Sequence, residues 1–124
     1  MKLLQTWHPS MLPSDDETIH WKKITTEEAI HLAREHDIES RIRYANLARV
    51  ISSVFGFRII AYRKYLTLYQ GEQFMFVRYV GGSMLPDDAH DLPENATLDF
   101  WLGSVKQISI SDLPEMTPMA LNVN

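Results

Sequence analysis

Apolar residues recur at helical spacing in two parts of the chain. The first part follows Thr25, which with Glu28 has the spacing of a capping box. Its apolar residues fall at helical spacing at positions Ala29, Ile30 and Ala33, with charged residues between them. This pattern predicts a helix that runs from Thr25 to about residue 36.

The second helical pattern places apolar residues at i, i+4, i+7 and i+8. These residues are Leu47, Ile51, Val54 and Phe55. Gly56 follows at the position where a left-handed C-cap is favoured, because glycine adopts positive φ without a steric cost. We therefore predict a main core helix that ends at Phe55.

Strand patterns fill most of the remaining chain, several of them with the period of two that is typical of half-buried strands. They cover residues 3–7, 18–21, 65–69, 73–80 and 97–105, and another strand is predicted to begin at residues 59–60. Residues 70–72 (Gln-Gly-Glu) lie between two alternating segments and predict an antiparallel hairpin. Residues 81–95 form a polar loop that is longer than most loops of compact domains, which suggests a functional role.

These elements predict an α+β fold, in which a mixed, mainly antiparallel sheet carries two helices on one face. The chain has 124 residues, 45% of them hydrophobic, which suits one core. We expect residues 1–110 to form a single domain. Residues 111–124, with prolines at 114 and 118, are expected to be loosely attached or disordered.

Composition narrows the possible chemistry. The chain has no cysteine, which excludes disulfides, thiolate nucleophiles and cysteine-based zinc sites. No apolar run has the length of a signal sequence or a membrane span, so we predict a cytoplasmic protein without a membrane partner. The common motifs of nucleotide-binding loops and serine hydrolases do not occur. We expect no metal and no cofactor.

Charge is distributed unevenly along the chain. The net charge is −4, yet residues 41–78 carry seven basic residues and one acidic residue, a local charge of +6. Basic residues within an acidic protein favour a confined anionic ligand over a long nucleic acid, because the acidic flanks would repel an extended phosphate backbone. The alternative is that these arginines only solvate the outer faces of a helix and a hairpin.

Several residues could carry binding or catalysis. Trp7 ends the first predicted strand, where it could stack on a base or belong to the core. Arg41 and Arg43 precede or open the second helix, where backbone N–H groups also gather, so phosphate could be held by the arginines and the N–H groups together. Tyr44 follows them and could instead be ordinary packing at a helix start. The long loop contains four residues that could bind a metal or act as acid and base, or could serve only for solubility. They are Asp87, Asp88, His90 and Asp91.

Four stretches of the chain resemble the viral and prophage ring-nuclease family, which includes type III anti-CRISPR proteins. They are residues 3–12 (LLQTWHPSML), residues 42–63 (IRYANLARVISSVFGFRIIAYR), residues 65–80 with the Gly-Glu turn at 71–72, and the loop 81–93 with its two Leu-Pro pairs. The resemblance lies in the spacing of these residues along the chain more than in their identity. The resemblance implies a homodimer that binds cyclic tetra-adenylate and cuts it without metal.

The chain departs from the family pattern at its site. Tyr44 stands where the family has its catalytic histidine, Arg43 replaces the preceding glycine, and His8 replaces a serine that contacts the ligand. Ser83 or Met84 stands at the position of the late-loop arginine. In the family mechanism the histidine protonates the leaving 5′-oxygen. An imidazole, with a pKa near 6.5, does this better at neutral pH than a phenol with a pKa of about 10.

The sequence therefore predicts an anti-defence protein of a phage or prophage that binds a cyclic nucleotide second messenger and sequesters it in the host cytoplasm. Two alternatives remain: a metal-independent ring nuclease, with His8 or Tyr44 assisting, and a protein-binding regulatory module on the same fold. Whether it is an enzyme stays open. The candidate catalytic residues are Tyr44 and His8. The candidate ligand-binding residues are Trp7, Ser10, Arg41, Arg43, Arg63 and Ser83.

Overall fold

Seven regular elements form the framework of the computed structural model, which describes residues 1–6, 9–12, 17–64 and 66–107. In chain order they are β1 (Lys2–Leu4), β2 (Glu17–Ile24), α1 (Thr26–Glu35), β3 (Glu39–Arg41), α2 (Ala45–Phe55), β4 (Gln73–Gly81) and β5 (Ala96–Gln107). A short 3-10 helix, Pro9–Met11, lies between β1 and β2. The predicted tail 111–124 and the predicted domain boundary at residue 110 lie outside the described residues.

The five strands form one sheet in the order β2-β5-β4-β1-β3. The long pairings of β5 with β2 and with β4 are antiparallel. The short strand β1 runs parallel to both of its neighbours, β4 and β3. This arrangement confirms the predicted α+β class with a mixed, mainly antiparallel sheet.

Both helices pack on the same face of this sheet, as predicted. The buried residues of this layer include Ala29 of α1, Val50 and Ile51 of α2, and Met75 and Val77 of β4. Because these side chains come from elements far apart in sequence, their burial fixes the position of α2 on the sheet.

The opposite face is covered in part by the chain that follows α2. Leu66 and Leu68 are buried there against Leu4, Phe74 and Val105. The predicted hairpin is therefore wrong, because residues 66–69 lie across the sheet instead of pairing within it. Their alternation has a different cause: every second side chain is buried against the sheet face. The turn before β4 does occur, with Gly71 at a φ of 81°.

Two further differences concern short segments. The strand predicted to begin at residues 59–60 does not form; the backbone N–H of Ile59 instead donates to Ser52 Oγ at 2.7 Å. Conversely, β3 was not predicted, because its sequence, Glu-Ser-Arg, has no apolar alternation. It forms as the parallel neighbour of β1, with Ser40 opposite Leu3. Tertiary context decides both cases.

The predicted ends of the helices are confirmed. The hydroxyl of Thr25 accepts the backbone N–H of Glu28, and the Glu28 carboxylate accepts the backbone N–H of Thr25, both at 3.1 Å. α2 ends at Phe55 with Gly56 in the left-handed region, at φ 79°. No helix among the described residues has the length and apolar character needed to cross a bilayer.

Thr25→Ala is expected to cost about 1 kcal/mol of stability, because it removes the N-cap acceptor of α1. Urea unfolding at pH 7 measures this loss, and Thr26→Ala, one residue into the helix, is the matched control. Equal stability of the two variants would contradict the capping role.

Glu28 gives the same cap a pH dependence. Two hydrogen bonds from Thr25 lower the pKa of the Glu28 carboxyl. The bond from the backbone N–H has the larger effect and the bond from the hydroxyl the smaller. The stabilisation is therefore present above the ordinary glutamate value of about 4.3 and is lost as the pH falls through the lower folded-state pKa. An NMR titration of Glu28 in the folded protein should give a midpoint below about 4.3.

Candidate functional site

A cleft of about 820 Å³ lies where β1 ends and β4 continues. β1 pairs with β4 only as far as Phe76, so from Val77 onward β4 has no neighbour on that side among the described strands. The start of α2, the end of β4 and the loop after β4 enclose the space. Residues from each of these three elements line it, among them Tyr44, Tyr79 and Ser83.

Tyr44 is the N-cap residue of α2, and its side chain makes no capping hydrogen bond. Its ring is 56% exposed and lines the cleft. The side-chain oxygen of Gln5, just after β1, accepts the backbone N–H groups of Arg43 at 2.9 Å and Tyr44 at 3.4 Å. This contact fixes the entry of the chain into α2. It also brings the side chain of Gln5 to the cleft wall.

The start of α2 is a favourable place for an anion. The first turn contains no acidic residue, and the side chain of the N-cap residue Tyr44 makes no capping hydrogen bond. Of the first N–H groups, that of Leu47 is bonded to Asn46 Oδ1 at 2.8 Å. The N-terminal N–H groups of a helix and its dipole both favour negative charge, and phosphate groups bind at such ends.

Two arginines lie beside this helix start. Arg43 is exposed immediately before Tyr44, and the Nε–H of Arg63 donates to the Arg43 carbonyl at 3.0 Å. Arg78 also lines the cleft from β4, but its guanidinium lies 3.5 Å from a carboxylate oxygen of Asp99 and 5.1 Å from the ring centre of Trp101. One acidic residue, Asp87, also lines the cleft. Arg43 and Arg63 therefore provide the positive charge beside the helix start, while the described lining of the cleft itself contains one arginine and one carboxylate.

The structure brings some of the predicted site residues together and separates others. Tyr44 and Ser83 line the same cleft, and Arg43 and Arg63 adjoin it. Arg41 lies on β3 and lines a separate cleft of about 480 Å³. Its guanidinium is 3.0 Å from Glu39 and stacks 4.2 Å from the ring centre of Tyr62.

The remaining predicted site residues lie elsewhere. Ser10 is exposed in the 3-10 helix and does not line the cleft. Trp7 and His8 lie outside the described residues.

The loop between β4 and β5 is held by one flank of α2, which sequence reasoning missed. Asn46, Arg49 and Ser53 all donate hydrogen bonds to this loop. Their spacing of i, i+3 and i+7 places them on one side of the helix. The sequence shows these polar residues beside the apolar residues of α2. Only the fold shows that the loop accepts hydrogen bonds from them.

Gly81, the last residue of β4, lies beside the side chain of Tyr79 where the loop begins. A Cβ atom at Gly81 would lie 2.5 Å from the Tyr79 hydroxyl oxygen, so the position excludes a larger residue unless that side chain moves. The Tyr79 hydroxyl also donates to the Ser83 carbonyl at 3.3 Å. Tyr79 thus supports the turn that carries Ser83 to the cleft.

The acidic loop residues do not form a metal site in the described part of the chain. Nowhere in those residues do three or more histidine, aspartate or glutamate side chains converge as potential ligands. Asp91, one of the candidate residues, accepts the hydroxyl of Ser53 at 2.8 Å.

Fold and cleft together define a small α+β protein whose single mixed sheet carries two helices on one face and a cleft at the start of the second helix. No family model matches the chain, and no curated protein matches it in sequence. Among solved structures, the fold is similar to B116 of Sulfolobus turreted icosahedral virus, with a TM-score of 0.62 and 12% sequence identity. The match covers 83% of this chain and 97% of that chain. The chain therefore shares its fold with a small viral protein.

Proposed function

We propose that the protein binds a cyclic oligoadenylate-like second messenger in the Tyr44 cleft and sequesters it, as an anti-defence protein of a phage or prophage. The observation that carries this proposal is the position of Tyr44 and Ser83 in one cleft, at a helix start without acidic residues that is flanked by Arg43 and Arg63. The fold shared with a viral protein is consistent with a viral or prophage origin.

The cleft offers separate partners for the parts of a nucleotide. The N–H groups at the start of α2 and the guanidinium groups of Arg43 and Arg63 suit phosphate. The half-exposed ring of Tyr44 suits stacking on an adenine, which is worth about 1–3 kcal/mol per base. Asp87 carries charge of the wrong sign for phosphate, so we expect the phosphates to lie on the α2 side of the cleft.

A homodimer would complete the site. The cleft of about 820 Å³ is within the range of small-molecule pockets, roughly 300–1,000 Å³. A ring of repeated nucleotides is symmetric and larger than one such pocket, so two clefts related by a two-fold axis suit it better than one. Each protomer would then bind half of the ring.

Sequestration is favoured over cleavage by the residues that line the cleft. The described lining contains no histidine, and the position of the family's acid holds Tyr44. General acid catalysis typically contributes about 10²–10⁴-fold, so its loss leaves slow cleavage or none while binding persists. The alternatives are a slow ring nuclease in which His8 or Tyr44 assists, and a protein-binding module that takes no nucleotide.

Thermal-shift measurements with cyclic oligoadenylates, cyclic dinucleotides and cyclic ADP-ribose isomers test the proposal. A ligand at 100 times its Kd stabilises the folded state by about 2.7 kcal/mol. For a domain of this size, this corresponds to a rise in Tm of roughly 10 °C. We expect such a rise with a cyclic oligoadenylate.

Charge reversal at the helix start provides the matched comparison. Arg43→Glu should abolish most of the ligand-induced rise in Tm, because it places a negative charge beside the expected phosphate site. Arg34→Glu makes the same charge change on α1, at a residue that does not line the cleft, and should leave the rise intact. No stabilisation of the parent protein by any of these ligands would favour the protein-binding alternative.

A further inference from the structure

Asn46, in the first turn of α2, makes three hydrogen bonds at the cleft. Its Nδ2 donates to the carbonyl oxygens of Leu85 at 3.2 Å and Pro86 at 3.1 Å. Its Oδ1 accepts the backbone N–H of Leu47 at 2.8 Å. One amide group therefore joins the first turn of the helix to the loop on the other side of the cleft.

The wall that Asn46 holds is ordered by further contacts. The Pro86 carbonyl also accepts the backbone N–H of Ala89 at 3.1 Å, so two donors converge on one oxygen. The side chain of Leu85 is 8% exposed and belongs to the main core. In contrast, Met84, one residue earlier, is 89% exposed. Leu85 is therefore a buried anchor within the loop, between the exposed residues Met84 and Pro86, and Asn46 donates to its carbonyl oxygen.

We infer that Asn46 is a positioning residue for the cleft: it fixes the loop wall at Leu85 and Pro86 and thereby sets the affinity for the ligand. The inference rests on the proposed function as far as the ligand is concerned. Asn46 acts through the loop, since both hydrogens of its amide group are used by backbone carbonyls. Loss of this donor would leave two carbonyl oxygens of the wall without it, which typically costs about 1–3 kcal/mol per unsatisfied group.

Two substitutions separate the loop contact from the helix contact. Asn46→Asp keeps an oxygen acceptor for the Leu47 N–H and places negative charge in the first turn, which favours the helix. It removes the donor and sets a carboxylate against two carbonyl oxygens. Asn46→Leu removes the donor without adding charge, so it controls for repulsion between an aspartate and an anionic ligand.

Ser53→Ala is the matched control on the same flank of α2. It removes a contact with the same loop, the 2.8 Å hydrogen bond to Asp91, at a residue that does not line the cleft. We expect the variant to leave both the cleft wall and the ligand affinity unchanged.

The first readout uses full-length protein without ligand. Amide hydrogen exchange at Ala89, which reports on the Pro86 turn, should be faster by about tenfold in Asn46→Asp and in Asn46→Leu, and unchanged in Ser53→Ala. An unchanged rate at Ala89 in both Asn46 variants would overturn the inference.

The second readout is the affinity for cyclic tetra-adenylate, measured by calorimetry. Both Asn46 variants should bind about 10- to 100-fold more weakly than the parent, because two carbonyls lose their donor and the wall shifts. A loss of affinity confined to Asn46→Asp would identify charge as the cause and overturn the inference. Parental affinity in both Asn46 variants, despite faster exchange at Ala89, would overturn it as well. If the parent binds no ring, the proposed function fails, while the exchange at Ala89 still decides whether Asn46 fixes the wall.

Discussion

A Tyr44→His variant is expected to cut cyclic tetra-adenylate about 10²–10⁴ times faster than the parent protein. Tyr44 lies at the N-cap of α2 and lines the cleft, so under the proposed function a side chain at position 44 faces the bound ring. An imidazole there can donate a proton at neutral pH, which a phenol does poorly. Chromatography of the nucleotide after single-turnover incubation measures the rate directly.

Tyr44→Phe is the companion variant, since it keeps an aromatic ring for stacking and removes the hydroxyl. It should bind the ring like the parent and cut it no faster. If Tyr44→His binds the ring as tightly as the parent but cuts it no faster, a side chain at position 44 does not act as the general acid. His8 would then be the next residue to substitute.

Phe100→Ala is expected to destabilise the protein by about 3–5 kcal/mol, a large part of the 5–15 kcal/mol typical of a domain. Phe100 is 1% exposed on β5 and stacks on Phe55 of α2, with ring centres 5.7 Å apart. Truncation leaves a cavity between the sheet and the helix that carries Tyr44. Thermal unfolding should show a fall in Tm of roughly 10–20 °C.

Thr97→Ala on the same strand is the control for Phe100→Ala. Thr97 is exposed, so its truncation should change Tm little. Similar losses in the two variants would contradict the packing of α2 on the inner face of β5. Because α2 positions the cleft, Phe100→Ala should also weaken ligand binding at temperatures where it remains folded.

The sequence predicted those parts of the fold whose local signals agree with their tertiary environment. The capping box at Thr25 and the glycine at 56 each specify a helix end through their own backbone chemistry, and both appear as expected. The chain after α2 shows the limit of such reasoning. Alternation at Leu66 and Leu68 has the same period whether a segment pairs within a sheet or lies across its face.

The candidate site was predictable only in part. The resemblance indicated Tyr44 and Ser83, and the fold places both at one cleft. Gln5 and Asn46 were not indicated, because their role depends on backbone groups about 38 to 40 residues away in sequence, which no local pattern reveals. Arg41 shows the converse. Its positive charge made it a candidate for phosphate binding, but in the fold its guanidinium contacts Glu39 and Tyr62.

The most direct measurement of binding without cleavage is a calorimetric titration of the full-length protein with cyclic tetra-adenylate, followed by chromatography of the recovered nucleotide. We predict saturable binding of one ring per two protomers, with the ring recovered intact after many times the residence time of the complex. Absence of binding, or recovery of linear product after a single turnover, would contradict sequestration in the Tyr44 cleft.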